Sequence, residues 1–257
     1  LDPDKIVAMG AAIQARGLTV KDESSNLLLD VVPLSLGIET MGGIVDKIIN
    51  RNSTIPINYS KEFTTYADGQ TGMEFHILQG EREIVEDCRS LAKFKISNIP
   101  PLKAGVARVK VTFAIDADGL LTVSAQEEST QQIQKVEIKP AFGLNNMQIK
   151  EMLIDSAKNA KKDITQRLLL EAKSESKRNI LAIISALKED GDLLDQKEKD
   201  DILQQVKKLE YVIAKDNKDD IDNESENLEK LARKFAQKKM DKYIKKSLVN
   251  QKLDDVA

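Results

Sequence analysis

Few residues in this chain have the types or spacing for acid–base, nucleophilic or metal chemistry. His76 is the only histidine and Cys88 the only cysteine, so neither can join a His/Cys set that holds zinc or a metal cluster. A Ser/His/carboxylate triad through His76 is chemically possible. His76 nevertheless falls inside the run Met73 to Leu78, where a hydrogen-bonded sheet histidine is the commoner role. Asp116, Asp118 and Gly119 resemble the start of a calcium loop, but the glycine arrives at the fourth position rather than the sixth and no third acidic ligand precedes it. A hairpin turn accounts for them better. Gly37, Gly42 and Gly43 lie close together without a following Lys-Ser/Thr pair, which excludes a phosphate-binding P-loop. No catalytic constellation emerges, and what remains is a surface for binding.

The elements that must carry such a surface differ between the two ends of the chain. From Val31 to Pro140 the apolar residues repeat with period two: Leu34, Leu36 and Ile38; Met73, Phe75 and Ile77; Val109, Val111, Phe113 and Ile115; Leu121, Val123 and Ala125. Turns fall at Gly42 and Gly43, Asn50 to Pro56, Asp68 to Gly72, Asn98 to Gly105, and Asp116 to Gly119. About eight short strands at this spacing predict an antiparallel β-sandwich rather than a parallel βαβ sheet. Beyond Gly143 the period becomes helical. Ile149, Leu153, Ala157, Ala160, Ile164 and Leu168 form one stripe, a polar stretch from Glu171 to Asn179 interrupts it, and Ile180, Ile184 and Leu187 resume it. The spacing predicts one helix, or two nearly collinear ones, over 146–189, about 65 Å long at about 1.5 Å per residue. Its polar stretch reads as a solvated crossing between two packed halves. Ile202 to Ile213 and Leu228 to Leu248 predict two more helices that close a small bundle with its distal half.

Composition marks the same boundary. Eleven of the 12 glycines lie at or before Gly143 and all 6 prolines at or before Pro140. The 114 residues from Leu144 carry 24 Lys+Arg and 23 Asp+Glu, against 15 and 19 in the first 143. The net charge of -3 over 257 residues leaves no basic footprint for nucleic acid, and no apolar run approaches the roughly 18 residues of a membrane span. A single cysteine and the absence of a charged and then apolar leader at Leu1 are expected of a reducing, cytoplasmic compartment. Asp2 and Pro3 followed by Ile6, Val7, Met9, Ala11, Ala12 and Ile13 predict a short helix. It cannot bury its own face, so the chain reads as a fragment of a longer one. Leu27, Leu28, Leu29 and Asp30 form an abrupt apolar patch, either the start of a core strand or a docking linker.

A sheet with semi-exposed apolar residues rimmed by loops can accept an extended peptide, and a long helix leaving that sheet can lie across it as a lid. The motifs then carry a resemblance over nearly the whole chain. Val31, then Pro33 to Gly43 directly after Leu27 to Asp30, then Gln79 to Arg82, Ile115 to Gly119, and Gly143 to Asn145 before the helices, are similar in the same order to the heat-shock-protein-70 chaperones. Asp2, Pro3 and Gly10 to Ile13 resemble the last helix of that family's ATPase domain. The resemblance implies residues 1–18 as a remnant of that helix, 19–30 as the interdomain linker (Leu27, Leu28, Leu29, Asp30), 31–141 as a substrate-binding β-sandwich and 142–257 as an α-helical lid.

It further implies a peptide groove lined by Leu36, Ile38, Phe63, Met73, Phe75 and Val109, with Phe63 and Val109 flooring the central pocket. Met41 and Tyr66 would arch over the peptide, with Thr40 and Thr64 beside them. Leu36 and Val109 read equally well as plain core. Within the family, Thr64 to Tyr66, Asp68 to Thr71, Gln79 to Arg82 and Asp87 to Leu91 resemble the branch dedicated to iron–sulfur cluster assembly. That branch implies an iron–sulfur scaffold protein as client, grasped through a Leu-Pro-Pro-Val-Lys-like segment, together with a J-domain co-chaperone. It also implies ATP and Mg in an ATPase domain outside these residues, with no cofactor here; the alternatives are a general chaperone of broad clients or a non-chaperone helical adaptor. A general family member latches its lid with an Arg and an Asp, whereas Ala104 and Lys177 occupy those positions here, so the latch is absent or rebuilt.

Overall fold

The structure, a computed structural model, describes residues 3–19, 30–140 and 144–250. The linker leucines Leu27 to Leu29, and Gly143 before the long helix, lie outside the described residues. Helix α1 (Pro3–Thr19) leaves Ile6, Val7, Met9 and Ile13 exposed. Eight strands follow among the described residues: β1 (Leu36–Thr40), β2 (Ile44–Ile49), β3 (Ile57–Thr64), β4 (Gly72–Gln79), β5 (Arg89–Ser97), β6 (Arg108–Ile115), β7 (Leu121–Glu127) and β8 (Ile133–Ile138). They form two four-stranded antiparallel sheets in the orders β2-β1-β4-β5 and β3-β6-β7-β8. The period-two runs supply the inner faces. Val109, Val111, Phe113 and Ile115 on β6 and Leu121, Val123 and Ala125 on β7 are all buried against Leu36, Ile38, Phe75, Ile77 and Ile96 of the other sheet. The Asp116–Gly119 segment is a hairpin: Asp116 Oδ1 accepts from the N–H of Asp118 at 3.0 Å and of Leu120 at 2.9 Å, and Gly119 supplies φ +75. Those carboxylate lone pairs serve the turn.

Helix α2 (Asn146–Asp190) runs 45 residues without a break. Asn145 starts it with a capping box, its Oδ1 accepting from Gln148 N–H at 2.8 Å while Gln148 Oε1 accepts from Asn145 N–H at 2.9 Å. Helices α3 (Gln196–Ile213) and α4 (Lys218–Asn250) fold back along its distal half. Ile202, Val206, Leu209 and Ile213 of α3 meet Ile180 of α2 and Ile221, Leu228 and Phe235 of α4 in a second apolar core. Among the described residues no helix is long and apolar enough to cross a membrane.

Two features of α2 depart from its apolar periodicity. Ala157, Ala160, Ile164 and Leu168 are exposed, Ile164 to 56% and Leu168 to 45%. The face turned to the sandwich carries Asp163 and Arg167 instead, because those groups find charged partners there and the aliphatic stripe finds no matching apolar surface. The polar stretch from Glu171 to Asn179 is not a solvated crossing. Ser176 is buried with its hydroxyl 2.7 Å from that of Ser225, and Lys173 pairs with Asp216, so this stretch carries the start of the bundle.

Candidate functional site

Strands β1 and β4 pair at Leu36↔Gln79, Gly37↔Leu78 and Ile38↔Ile77, and the ladder stops there. Beyond Ile38, β1 stays paired to β2 through Glu39↔Val45 and Thr40↔Ile44. A cleft of about 600 Å³ opens between the diverging strands. Its walls include Thr40, Met41, Phe63, Thr64, Tyr66, Met73 and Phe75. Leu36, Ile38 and Val109 lie beneath it, fully buried in the sandwich core. The floor is aromatic: Phe63 meets Phe75 edge-on with ring centroids 5.9 Å apart, and Phe75 stacks at a tilt on Phe94 at 5.5 Å. Phe63 is the cross-strand neighbour of Val109, which fixes its height above the core.

Two loops hold the outer wall. In the β1–β2 turn Gly42 and Gly43 take φ +88 and +75, so the chain reverses right after Met41. In the β3–β4 loop Gln70 Oε1 accepts from Tyr66 N–H at 2.9 Å while its Nε2 donates to the Gly72 carbonyl at 2.8 Å, fastening the loop that presents Tyr66. Met41 and Tyr66 line both the cleft and a second cavity of about 560 Å³ against α2, so they partition the two. Asp30 turns at the sandwich entrance, its Oδ1 accepting from Val31 N–H at 2.8 Å and its carbonyl from Ile55 N–H at 3.0 Å.

Helix α2 crosses above these loops. Ser174 Oγ donates to the Met41 carbonyl at 3.3 Å, and a Cβ at Gly42 would collide with the same hydroxyl. Before that crossing, Arg82 of the β4–β5 loop is buried against the helix. Its Nε and Nη2 donate to the two oxygens of Asp163 at 2.6 and 2.9 Å, Nη1 reaches Asp155 at 2.5 Å, and Nη2 also reaches Asp87 at 2.9 Å. The bidentate guanidinium holds the Asp163 carboxyl below its ordinary range despite burial, and Arg82 in turn is held above its own. Glu83 then accepts from Lys47 at 2.7 Å and Arg167 at 2.5 Å; burial alone would raise its pKa, but these two cations outweigh burial and lower it.

A model of the Hsp70 protein family matches residues 1–241. The chain belongs to the Hsp70 family. It is similar to the chaperone protein HscA homologues of Shewanella frigidimarina (strain NCIMB 400) and Shewanella woodyi (strain ATCC 51908 / MS32), with 50% and 51% identity over all 257 residues. The chain spans 42% of the length of each of those relatives.

In this Hsp70 chain the far end of α2 is fastened to the β3–β4 loop and its neighbour. Asp68 of the β3–β4 loop accepts from the Ala104 backbone N–H at 2.8 Å and from the Ser185 hydroxyl at 2.7 Å, and these two donors lower its pKa. Beside it Lys103 pairs with Glu189. Ala104 thus contributes its backbone and Ser185 its side chain, about two helical turns past the exposed Lys177. These contacts tie the far half of α2 to the loops of the sandwich.

Sequence reasoning passed over Glu39, Gln70 and Lys93, which also line the cleft with His76. Their signal was positional: Glu39 adjoins Thr40 on β1, Lys93 pairs with His76 across β4 and β5, and Gln70 lies in the loop that presents Tyr66. His76 itself is 9% exposed, with Nδ1 2.6 Å from Glu39 Oε2 and Nε2 2.8 Å from Ser90 Oγ. This carboxylate–imidazole–hydroxyl chain has the order of a triad. Ser90, however, is not among the residues that wall the cleft, so its hydroxyl does not face the space where a substrate would sit. Cys88, half-buried behind Gly80, is pushed by burial to a pKa of about 11, which leaves it a poor nucleophile. Among the described residues no cluster of three or more His, Cys, Asp or Glu is placed to hold a metal ion.

Proposed function

We propose that the chain is the client-binding portion of an ATP-dependent chaperone, in which the cleft holds an extended apolar peptide and α2 with its bundle is the lid. In this reading residues 1–18 end an ATPase domain, 19–30 link it, 31–141 form the grip and 142–257 the cover. Phe63, Phe75 and Met73 receive a client side chain, while Thr40, Met41, Thr64 and Tyr66 face its backbone. Leu36, Ile38 and Val109 support that pocket from below. The observation that carries the reading is the aromatic-floored cleft at the point where the β1–β4 ladder stops, crossed by a helix that touches the Met41 carbonyl. A ladder that ends while both strands continue leaves backbone groups for an incoming extended segment.

The likeness to HscA homologues supports a narrower reading: a cytoplasmic chaperone of iron–sulfur cluster assembly, whose client is the scaffold protein grasped through a Leu-Pro-Pro-Val-Lys-like segment. A prolyl segment suits a groove that reads side chains more than a complete backbone ladder, because proline donates no N–H. A J-domain co-chaperone and the chain's own ATPase domain, loaded with ATP and Mg, would set the timing; Leu27 to Asp30 would couple the two parts. Neither nucleic acid nor membrane has a role in this reading. Burying one leucine is worth about 1.5–3 kcal/mol, and with a few backbone bonds the affinity should be about micromolar.

Fluorescence anisotropy with a labelled Leu-Pro-Pro-Val-Lys peptide tests both levels. Loss of binding in Phe63→Ser, with a cooperative unfolding transition retained at a somewhat lower midpoint, is expected. Binding untouched by that substitution refutes the groove, and equal affinity for a scrambled peptide refutes the dedicated client while leaving a general chaperone.

A further inference from the structure

Where the β1–β4 backbone ladder stops, a side-chain link takes its place. The next antiparallel pair would be Glu39 and His76, and their side chains meet at 2.6 Å instead. The second ring nitrogen of His76 faces Ser90 on β5 at 2.8 Å, so the link crosses three strands at the cleft mouth. The ring is satisfied in either charge state. When neutral, Nδ1–H donates to Glu39 and Nε2 accepts from the Ser90 hydroxyl; when protonated, both nitrogens donate and the hydroxyl turns to accept. The charged side chains that share the cleft with the ring are Glu39 on β1, Glu62 on β3, Glu74 on β4 and Lys93 on β5, of which Lys93 lies directly across from His76. Three carboxylates against one ammonium leave the mouth negative, and an imidazolium there would offset part of that charge.

We propose that the Glu39–His76–Ser90 link positions the arch strand for the client and that client binding at this mouth takes up a proton on His76. The proposal rests on the peptide-groove reading above. A peptide filling the mouth strips water from the Glu39 carboxylate, and a carboxylate that loses water needs a partner of full opposite charge. The imidazolium at 2.6 Å provides it. By reciprocity, a client that favours the protonated ring is itself held more tightly as pH falls from 8 to 6. His76 is the only histidine of the chain, so one substitution isolates the imidazole's part in the effect.

The test is isothermal titration calorimetry with an acetylated, amidated Leu-Pro-Pro-Val-Gln peptide, which has no titratable group, at pH 6, 7 and 8 in two buffers of different ionisation enthalpy. Expected are net proton uptake near pH 7 and an affinity about 2–5-fold higher at pH 6 than at pH 8, the yield of a partly exposed charged pair. Both effects should vanish in His76→Gln, which keeps a donor and an acceptor but cannot charge. They should vanish equally in Glu39→Gln, which serves where the histidine variant fails to fold. Wild-type protein that binds the peptide with no linked proton overturns the proposal and leaves the groove reading standing. Proton uptake that persists in both variants also overturns it. Absence of peptide binding at every pH removes the groove reading and this proposal together.

Discussion

Replacing Arg82 with Met should release the proximal half of α2 from the sandwich far more than replacing Asp163 with Asn. Asp163 is 2% exposed, and with Arg82 gone its nearest remaining donor is the Glu83 N–H at 3.5 Å. Leaving one partner of a buried ion pair uncompensated costs about 3–5 kcal/mol. At about 1.4 kcal/mol per tenfold, that is roughly a 10²-fold to several-thousand-fold loss in the docking equilibrium. Asp163→Asn instead leaves the guanidinium with Asp155 and Asp87, both more exposed, and retains an oxygen acceptor, so about 1–2 kcal/mol is expected. The double replacement Arg82→Met/Asp163→Leu removes both charges and should recover most of the loss, since a buried pair exchanged for apolar groups of similar size is close to neutral. Hydrogen exchange read on the α2 amides before residue 170, with those of α3 as internal reference, measures the docking. Equal effects from the two single substitutions, or equal acceleration in α3, would refute the account of Arg82 as the anchor of this helix.

Acid should loosen the same contacts. Asp163 and Glu83 are held below their ordinary values in the folded chain, so their stabilisation is fully present above the ordinary carboxylate range and is lost as pH falls through the lowered values; α2 exchange should accelerate over that window. Ser185→Ala should speed peptide release about 2- to 5-fold in a stopped-flow dissociation assay while leaving the unfolding midpoint within a degree or two, because Asp68 keeps its bond to the Ala104 N–H. Gly42→Ala should cost about 1–2 kcal/mol by urea titration, from a β-carbon at φ +88 that also meets the Ser174 hydroxyl. Ile164→Lys, at a position 56% exposed, should change stability by less than about 0.5 kcal/mol in the same titration.

What the chain reveals before folding divides by the kind of contact. The β6–β7 hairpin was legible because Val109 to Ile115 and Leu121 to Ala125 alternate cleanly and Asp116 and Gly119 supply the turn chemistry. Helix α3 was equally plain, its four-residue stripe from Ile202 to Ile213 being entirely buried. The docking face of α2 was not, since a periodicity built on apolar residues points to Ile164 and Leu168 and passes over Asp163 one position away. Asp163 is buried only because Arg82, 81 residues earlier, meets it. The Glu39–His76 link hides for the same reason: its partners are 37 residues apart and neither one by itself signals the other. Strand β3, with six exposed side chains in eight, is held by its ladder to β6, and its Phe63 acquires meaning only beside Phe75. The cleft residues therefore came into view through family resemblance rather than through pattern.

If α2 is the cover proposed above, the polar character of its contact meets a physical requirement of any cover that must reopen. An apolar helix face of comparable size would gain about 25 cal/mol for every Å² buried. It would also expose that surface to other chains whenever the helix lifted. Arg82–Asp163, Glu83–Arg167, Asp68–Ser185 and Lys103–Glu189 exchange for water instead, so an undocked α2 presents groups that water satisfies. The two ends differ in strength. The Arg82 contact is buried and bidentate, whereas Lys103 and Asp68 are exposed and subject to screening. Raised salt should accordingly free the end near Ser185 before the end near Asp163, with the distance between labels on the β3–β4 loop and the far end of α2 growing at salt concentrations that leave the amides of residues 155–167 protected from exchange. The reverse order would mean that the buried guanidinium, for all its contacts, is not what keeps the helix on the sandwich.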